Sequence, residues 1–386
     1  MKTIKNIVVT IFCLLIWYAN GAQINAGKTN NADIKHNYQS DGTYPVKTIP
    51  PTNGMKVKNV ILMIADGMGI SHFSSAWIAN KGSMFIDNVM YTGLVRTYAY
   101  NKLITDSGAA ATAMATGEKG NYHAIAVDPN TNAPLTSLTD LAYAKGLSTG
   151  ILVTCGITDA TPATFCANNP DRENLEYIAV DFTTCNVDFI FGGGRRQFYN
   201  RKSDNRDLLA EMKNQGYQVC FTIDETLNAS SDKILAIVEE GQLAPAHQRG
   251  SIFQKATGKA LETLSKNKKG FFAMIEGSRV DDFGHFNDLP KLIAEIGDFD
   301  RTVGQVLEWA EKDGKTLVII LSDHETGGLS ITNGNIKEGK VEGKFANTGH
   351  TGILIPVYAY GPQSNQFKGI MENTEIFEKI KALLKL

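Results

Sequence analysis

The stretch VKNVILMIADGMG, residues 57–69, indicates the fold of this chain. Its first nine residues are mostly apolar and do not alternate with polar ones, which is typical of a strand buried on both faces of a parallel sheet. The run ends at Asp66-Gly67, where turn-forming residues begin. The same unit, a short apolar run followed by a polar cluster and a segment of helical period, recurs along the chain. We therefore predict an α/β fold with a mainly parallel sheet.

Similar patterns predict the other elements. Apolar runs predict strands at residues 57–65, 148–155, 187–191, 270–275, 316–321 and 353–360. Helical periodicity predicts helices at residues 137–145, 207–215, 232–240, 254–266 and 289–312. No internal repeat, low-complexity block or Pro/Gly-rich linker divides the sequence after residue 53. We expect one large domain over residues 54–386, although a chain of 386 residues is long enough for two or three.

The N-terminus has the features of an export signal. Lys2 and Lys5 precede a largely apolar stretch at residues 7–18, and the small residues Gly21 and Ala22 follow. This stretch is shorter than the roughly 20 residues that span a bilayer. We expect residues 1–22 to be removed at Gly21 or Ala22, leaving an exported, periplasmic or secreted protein without a membrane anchor. An uncleaved anchor is the alternative. Residues 23–53 are polar and carry three prolines, which predicts an extended lead-in.

Charge and cysteine content limit the partners and the compartment. The formal net charge of −2 provides no basic excess for binding a nucleic-acid backbone, so an anionic small molecule would need a local site. Four cysteines remain after signal removal: Cys155, Cys166, Cys185 and Cys220. Their even number is compatible with two disulfides in an oxidising compartment, with three pairings left open, and buried free thiols are the alternative.

Acidic residues and a histidine follow three of the predicted strands directly. Asp66 comes after the first run, Glu276 after the run at 270–275, and Asp323-His324 after the run at 316–321. The carboxyl ends of parallel strands meet at one edge of a sheet, which is where ligands bind. Crowded carboxylates raise one another's pKa and destabilise the fold unless a counter-charge is present. The pattern therefore predicts a shared cation at this edge.

Two three-ligand metal centres are consistent with the residues near these strand ends. Asp281 and His285 are four residues apart, which places both on one face of a helix, and His350 in a Gly-flanked loop could complete a zinc centre. Asp66, Asp323 and His324 could form a second centre of the same O/O/N type. Each histidine taken alone has an ordinary hydrogen-bonded role as its alternative. That role is expected for the remaining four, which are His36, His72, His123 and His247.

The segment TDSGAAATAMATG, residues 105–117, predicts a helix that begins near Asp106 and Ser107. A serine at a helix N-terminus beside dications is an activated nucleophile, because the metal lowers the pKa of the hydroxyl and the helix dipole favours an anion. No Gly-x-Ser-x-Gly motif surrounds Ser107, so metal activation is the available route. A well-capped helix packed closely through its alanines is the alternative.

In these segments the sequence resembles the alkaline phosphatases, from about residue 57 to the C-terminus. Six segments occur in the order that this family has: IADGMG (64–69), TDSGAAATA (105–113), DATP (159–162), EGSRVDDFGH (276–285), SDH (322–324) and GHTG (349–352). The resemblance implies a three-layer α/β/α sandwich around a large, mainly parallel central sheet. It also implies a site that binds two zinc ions and one magnesium ion.

The resemblance implies a role for each residue by its position. It implies first-zinc ligands at Asp281, His285 and His350, and second-zinc ligands at Asp66, Asp323 and His324, with Ser107 coordinating the second zinc as the nucleophile. It implies magnesium ligands at Asp66, Asp159, Thr161 and Glu276. Arg172 would bind two phosphate oxygens through its planar fork, and Asp106 would hold this arginine.

Two departures from the family pattern qualify the resemblance. Asp282 stands where many relatives have Lys, His or Trp, which leaves the affinity and identity of the third metal open. The interval from His324 to His350 is short, so the insertion that forms the crown of larger dimeric relatives is expected to be reduced or missing.

The implied activity is hydrolysis of small-molecule phosphate monoesters through a phosphoserine, with an alkaline optimum. A homodimer is compatible with the resemblance, and the natural substrate is left open. A phosphodiesterase or sulfatase on the same fold is one alternative, although the sulfatase pattern Cys or Ser followed by x-Pro-x-Arg does not occur at Ser107. A non-catalytic exported binder of phosphate or metal is the other alternative.

Overall fold

A computed structural model describes residues 34–52, 54 and 56–386 of the chain. The predicted export signal and the first part of the lead-in lie outside these residues. Within them, fifteen strands are named in chain order as β1 His36–Gln39, β2 Asn59–Ala65, β3 Tyr91–Arg96, β4 Ser148–Gly156, β5 Phe189–Gly193, β6 Gln218–Cys220, β7 Ile234–Ile237, β8 Phe271–Gly277, β9 Thr316–Leu321, β10 Glu325–Thr326, β11 Leu329–Asn335, β12 Lys340–Phe345, β13 His350–Thr351, β14 Ile355–Tyr360 and β15 Gly369–Glu372.

Twelve α-helices are described in the same ranges. They are α1 Ile70–Ala79, α2 Ser107–Thr116, α3 Leu138–Ala144, α4 Ala160–Ala163, α5 Leu175–Asp181, α6 Leu208–Asn214, α7 Ile223–Asn228, α8 Ala246–Arg249, α9 Ile252–Leu264, α10 Arg279–His285, α11 Leu289–Asp313 and α12 Thr374–Leu384. Short 3₁₀ turns occupy Phe85–Asn88, Arg195–Gln197 and Ser364–Phe367. None of the helices in the described ranges combines the length and apolar character needed to cross a membrane.

Ten strands form one central sheet, in the order β15-β3-β14-β9-β2-β8-β4-β5-β7-β6. Only β14 runs antiparallel to its neighbours β3 and β9, and all other neighbouring pairs are parallel. The prediction of an α/β fold with a large, mainly parallel sheet is confirmed.

Helices cover both faces of this sheet. Along β2, Val60, Leu62 and Ile64 pack into a core that includes residues of α2, α3 and α12. The alternate residues Ile61 and Met63 pack into a second core with residues of α1, α9 and α11. Because every residue of β2 is buried, this strand has the uniformly apolar sequence from which the sheet was predicted. The three-layer α/β/α arrangement is confirmed.

The predicted strand at 316–321 matches β9, and the other predicted strands overlap observed ones within a few residues. The predicted helix at 232–240 is wrong, because this segment contains strand β7, which lies between β5 and β6. Its four residues Ile234–Ile237 are all buried. An uninterrupted apolar run of this length fits a buried strand, and the flanking polar residues produced the misleading helical spacing.

Two small sheets lie outside the central one. β11 and β12 form a hairpin, and β1 from the lead-in pairs antiparallel with β12. The described part of the lead-in is fixed further by Tyr44, whose hydroxyl donates to Asp300 Oδ2 at 2.8 Å. In the second small sheet, β10 pairs with β13, so that Thr326 lies opposite His350.

Among the described residues there is one disulfide, between Cys166 and Cys185, while Cys155 and Cys220 are buried and free. The four cysteines thus form one disulfide and two buried free thiols, instead of the two disulfides with which their even number is compatible. Cys155 lies in β4 and Cys220 in β6, which are three strand positions apart in the sheet. At about 4.8 Å per strand this separation far exceeds the roughly 7 Å limit for the Cα atoms of a disulfide.

Candidate active site

The loops that follow β2, β8 and β9 meet at the carboxyl edge of the central sheet, as predicted. The loops after β2 and β9 are joined by hydrogen bonds: Gly67 N donates to Asp323 Oδ1 at 3.1 Å, and Met68 N donates to Ser322 Oγ at 2.9 Å. Gly67 has a φ of 74°, and a Cβ at this position would lie 2.9 Å from Asp281 Oδ1. Glycine is therefore required for the backbone to approach the acidic residues so closely.

Asp66, Asp323 and His324 form the first group of converging side chains. Their ligand atoms all lie within 4.8 Å of one another. His324 Nε2 is 3.5 Å from Asp66 Oδ1 and 3.2 Å from Asp323 Oδ2. Both of these oxygens are buried, and neither has a hydrogen-bond partner among the described residues. Because buried carboxylate oxygens are costly without a partner, this O/O/N set fits a divalent cation such as zinc.

Asp281, His285 and His350 form a second group beside the first. His285 Nε2 lies 3.2 Å from Asp281 Oδ2 and 3.2 Å from His350 Nε2. Helix α10 carries Asp281 and His285, and β13 carries His350. The two groups adjoin, because the rings of His324 and His350 stack with their centroids 3.6 Å apart. Asp281, His324 and His350 also have ligand atoms within 4.8 Å of one another.

The backbone orients both imidazoles of the second group. His285 Nδ1 donates to the carbonyl of Thr348 at 2.6 Å, and His350 Nδ1 donates to the carbonyl of Thr105 at 2.8 Å. The two Nε2 atoms are therefore the ones that face each other at 3.2 Å, where either a proton on one of them or a bound cation offsets the repulsion between their lone pairs. The hydrogen bond to Asp281 raises the pKa of His285 to about 9, so this position attracts a positive charge.

The predicted third metal site contains Glu276, Thr161, Asp159 and the shared Asp66. Burial, followed by the charges of Asp159 and Asp323, raises the pKa of Glu276 to about 8. Burial and the neighbouring carboxylates also raise the pKa of Asp66 well above its usual value. Thr161 Oγ1 is buried and forms no hydrogen bond to any described residue. An oxygen-only set with this much unbalanced negative charge fits a hard cation such as magnesium.

Asp159 differs from the other acids of this third set. Its side chain is 38% exposed, and its Oδ1 accepts hydrogen bonds from Ala160 N at 2.8 Å and from Arg172 Nη2 at 3.2 Å. The structure thus places Asp159 between the predicted magnesium site and the predicted phosphate-binding arginine.

Ser107 begins helix α2 at the point where the first group of ligands converges. Its Oγ lies 3.2 Å from His324 Nε2 and donates to Asp66 Oδ2 at 3.4 Å. Asp106 caps the helix by accepting from Gly108 N at 3.3 Å and from Ala109 N at 3.2 Å. The hydroxyl therefore lies at the positive end of the helix and beside two candidate metal ligands.

Asp106 also holds Arg172, as the resemblance implies. Arg172 Nη1 donates to Asp106 Oδ2 at 2.9 Å. The backbone of His123 joins the two segments, because its N donates to Asp106 Oδ1 at 3.1 Å and its carbonyl accepts from Arg172 N at 2.8 Å. Burial alone would raise the pKa of Asp106, but Arg172 and the hydrogen bonds from His123 and Ala109 outweigh it and lower this pKa.

Asp282 forms an ion pair on α10. Its Oδ2 accepts from Arg279 Nε at 2.8 Å, and Arg279 Nη1 donates to the carbonyl of Leu243 at 2.8 Å. Burial raises the pKa of Asp282 despite this partner. Asp282, which departs from the family pattern, is therefore paired with the positive charge of Arg279.

Thr326, which was not among the predicted site residues, connects the two groups of ligands. Its buried hydroxyl donates to Asp281 Oδ1 and lies 3.2 Å from His324 Nδ1. Since the hydroxyl proton is donated to Asp281, Oγ1 accepts from His324 Nδ1–H, which leaves His324 Nε2 free for a metal. The carbonyl of Thr326 accepts from His72 Nε2 at 2.9 Å, so His72 has the structural role expected for it. Proximity to Asp323-His324 is the only sequence signal for Thr326.

Comparisons with known proteins agree with this geometry. The alkaline phosphatase family model matches residues 57–342 and 337–386. Alkaline phosphatase 4 of Bacillus subtilis strain 168 is 32% identical, with 86% of this chain and 89% of that protein covered. Alkaline phosphatase of Escherichia coli strain K12 is 30% identical, with 85% and 86% covered. The solved alkaline phosphatase from the Antarctic bacterium TAB5 is 38% identical with a TM-score of 0.81, covering 86% of this chain and 99% of that one. A variant of the TAB5 protein, 37% identical to this chain, is described as having Mg bound in its M3 site.

Proposed function

The chain belongs to the alkaline phosphatase family and is a phosphatase, and we propose that it hydrolyses small phosphate monoesters through a phosphoserine formed on Ser107. The observation that carries this proposal is the position of Ser107 Oγ, between Asp66 Oδ2 and His324 Nε2 at the N-terminus of α2. The histidine nitrogen beside this hydroxyl, His324 Nε2, is itself a candidate metal ligand, so bound cations rather than a free imidazole base would activate the serine.

The donor sets are suited to two zinc ions and one magnesium ion. The first zinc would be held by Asp281, His285 and His350, and the second by Asp66, Asp323, His324 and Ser107. Magnesium would be held by Asp66, Thr161 and Glu276, with Asp159 at its edge. When bound, these metals would lower the pKa values of the serine hydroxyl and of a water molecule, and would neutralise charge on the phosphoryl group.

The protein groups bind and orient the phosphoryl group. Arg172 would bind two of its non-bridging oxygens, while Asp106 keeps the guanidinium in place. Ser107 Oγ releases its proton to solvent and attacks phosphorus, the bond from phosphorus to the ester oxygen breaks, and the departing alcohol gains a proton from solvent. A water molecule then attacks the phosphoserine, which releases inorganic phosphate and restores the serine hydroxyl. Positioning and charge stabilisation are what such a loose transition state requires.

The extra negative charge of a monoester, compared with a diester, favours the monoester as substrate. Arg172, together with the metal ions that these residues would hold, would supply the positive charge that a terminal phosphoryl dianion needs. The proposed compartment is the periplasm or the exterior, where the environment is oxidising and a disulfide such as Cys166–Cys185 persists. A homodimer is part of the same proposal.

The test compares the purified protein with its Ser107→Ala variant on an aryl phosphate monoester and on the matching diester. We expect monoester turnover that is lost on chelation, restored by zinc, higher at alkaline pH and absent from the variant. A phosphodiesterase would turn over the diester preferentially. A non-catalytic binder would bind phosphate without turnover in the intact protein. Either result would contradict the proposal.

A further inference from the structure

Strand β13 carries His350, a ligand of the proposed first zinc, on a very short element. It consists of two residues and pairs with the two-residue strand β10 in a sheet of their own. In this register Glu325 lies opposite Thr351, and Thr326 lies opposite His350. An isolated pair of strands is at best marginally stable in water. Side-chain contacts are therefore needed to keep His350 in place.

Glu325 provides such a contact. Its side chain is buried, and its Oε2 accepts a hydrogen bond from the hydroxyl of Thr351. This bond ties the residue that follows His350 to the residue that follows His324. Two ligand-bearing segments are thus joined at positions directly next to their ligands.

The other carboxylate oxygen of Glu325 is anchored to the backbone. Oε1 accepts from Gly328 N at 2.8 Å and from Leu329 N at 3.3 Å. The side chain also packs against the start of helix α1, because a Cβ at Gly69 would overlap it. With three donors on its two oxygens, Glu325 is a rigid attachment point for Thr351.

Glu325 is held by hydrogen bonds and has no cationic partner among the described residues. His72 Nε2 lies 3.5 Å from its Oε1. However, His72 Nδ1 accepts from Gly69 N at 3.1 Å, and Nε2 donates its proton to the carbonyl of Thr326 at 2.9 Å, so the ring is neutral. A buried carboxylate without a counter-charge is costly. A role in positioning explains why a carboxylate occupies this place.

We propose that Glu325 is a positioning residue for the first zinc, because by holding Thr351 it fixes His350 against Asp281 and His285. The inference rests on the proposed function, since it presupposes that zinc site. It goes beyond that function by naming a residue that contacts neither metal nor substrate. Affinity for the first zinc should depend on the bond between Glu325 and Thr351, and affinity for the second should not.

The experiment is competition for zinc between metal-free protein and a chelator of known affinity. Thr351→Val keeps the shape of threonine but removes the donor to Glu325, and it should weaken binding of the first zinc by roughly 10- to 100-fold. Thr351→Ser retains the hydroxyl and should stay within about threefold of the unaltered protein. A His285→Ala background lacks a first-site ligand and reports on the second zinc, so Thr351→Val should change nothing there.

Two carboxylate-to-amide variants separate positioning from general stability. Glu325→Gln replaces one acceptor oxygen by an NH2 group and should weaken binding of the first zinc by roughly three- to tenfold. Asp300→Asn is the matched control, because Asp300 also accepts from two backbone N–H groups and one hydroxyl, those of Phe85, Ile86 and Tyr44. It should leave zinc affinity unchanged. Urea unfolding of each metal-free variant gives the accompanying change in stability.

Three results would overturn the inference: unaltered zinc affinity in Thr351→Val and Glu325→Gln, a loss of affinity that persists in the His285→Ala background, or a loss of equal size in Asp300→Asn. Either Thr351→Val or Glu325→Gln alone carries the test if the other does not fold. In each of these cases, Ser107-dependent hydrolysis of a monoester by the intact protein would still support the proposed function. An intact protein that neither bound zinc nor hydrolysed the monoester would contradict both proposals.

Discussion

Replacing Thr326 by valine tests whether the two zinc sites depend on a shared hydroxyl. Valine keeps the shape of threonine but removes the donor to Asp281 Oδ1 and the acceptor for His324 Nδ1. A hydrogen bond to a charged group contributes about 1.5–3 kcal/mol, which corresponds to roughly a 10- to 150-fold change in an equilibrium constant. Loss of partners that orient metal ligands lowers metal affinity by a comparable 10- to 100-fold. We expect zinc affinity to fall within this range for Thr326→Val.

The assay is competition for zinc between metal-free protein and a chelator of known affinity, followed without substrate. Thr326→Ser retains the hydroxyl and should bind zinc within about threefold of the unaltered protein. Thr332→Val is a matched control, because it removes an exposed threonine hydroxyl on β11 that donates to the carbonyl and the carboxylate of Glu342, away from the ligands. If Thr326→Val bound zinc as tightly as Thr326→Ser, the shared hydroxyl would have no role in holding the metals.

Three further predictions concern the phosphate-binding Arg172, the buried Asp300 that contacts the lead-in, and the disulfide. Arg172→Ala should lower kcat/KM for a monoester by roughly 10- to 1,000-fold, because one or two charged hydrogen bonds to phosphate are lost, and it should leave zinc content unchanged. Burial raises the pKa of Asp300 to about 6, so its contribution to stability is present below its unfolded pKa and is lost as pH rises towards 6. The free energy of unfolding should fall by an amount on the order of 3 kcal/mol from this group between pH 4 and pH 7, and Asp300→Asn should flatten that slope in urea titrations. Replacing Cys166 and Cys185 together by serine should lower the free energy of unfolding by about 3 kcal/mol, the value for a closed loop of this length, and should abolish the effect of added reductant on stability.

The central sheet was predictable because its strands are buried on both faces. A short, uniformly apolar run such as Thr316–Leu321 is best buried as a strand inside the sheet. The acidic residues that follow such runs mark the carboxyl edge of the sheet. The short strand Ile234–Ile237 was misassigned because four apolar residues carry too little periodicity to separate strand from helix. The cysteine pairing depends on strand order in the sheet, which local sequence does not contain.

The candidate site was predictable to the extent that its side chains follow strands or share one helix face. The structure brings together Asp66, Asp281 and His324 with the other predicted ligands around Ser107. Thr326 could not be predicted, because its contacts depend on the pairing of β10 with β13.

A direct test of the central claim is mass spectrometry of the protein quenched with acid during turnover of a phosphate monoester. The account predicts one phosphoryl group on the peptide that contains Ser107, at a level that rises at lower pH because hydrolysis of the intermediate slows. It also predicts no such group in the Ser107→Ala variant. Turnover of the monoester by the intact, zinc-loaded protein without any phosphorylated Ser107, or a phosphoryl group on a different residue, would contradict the account.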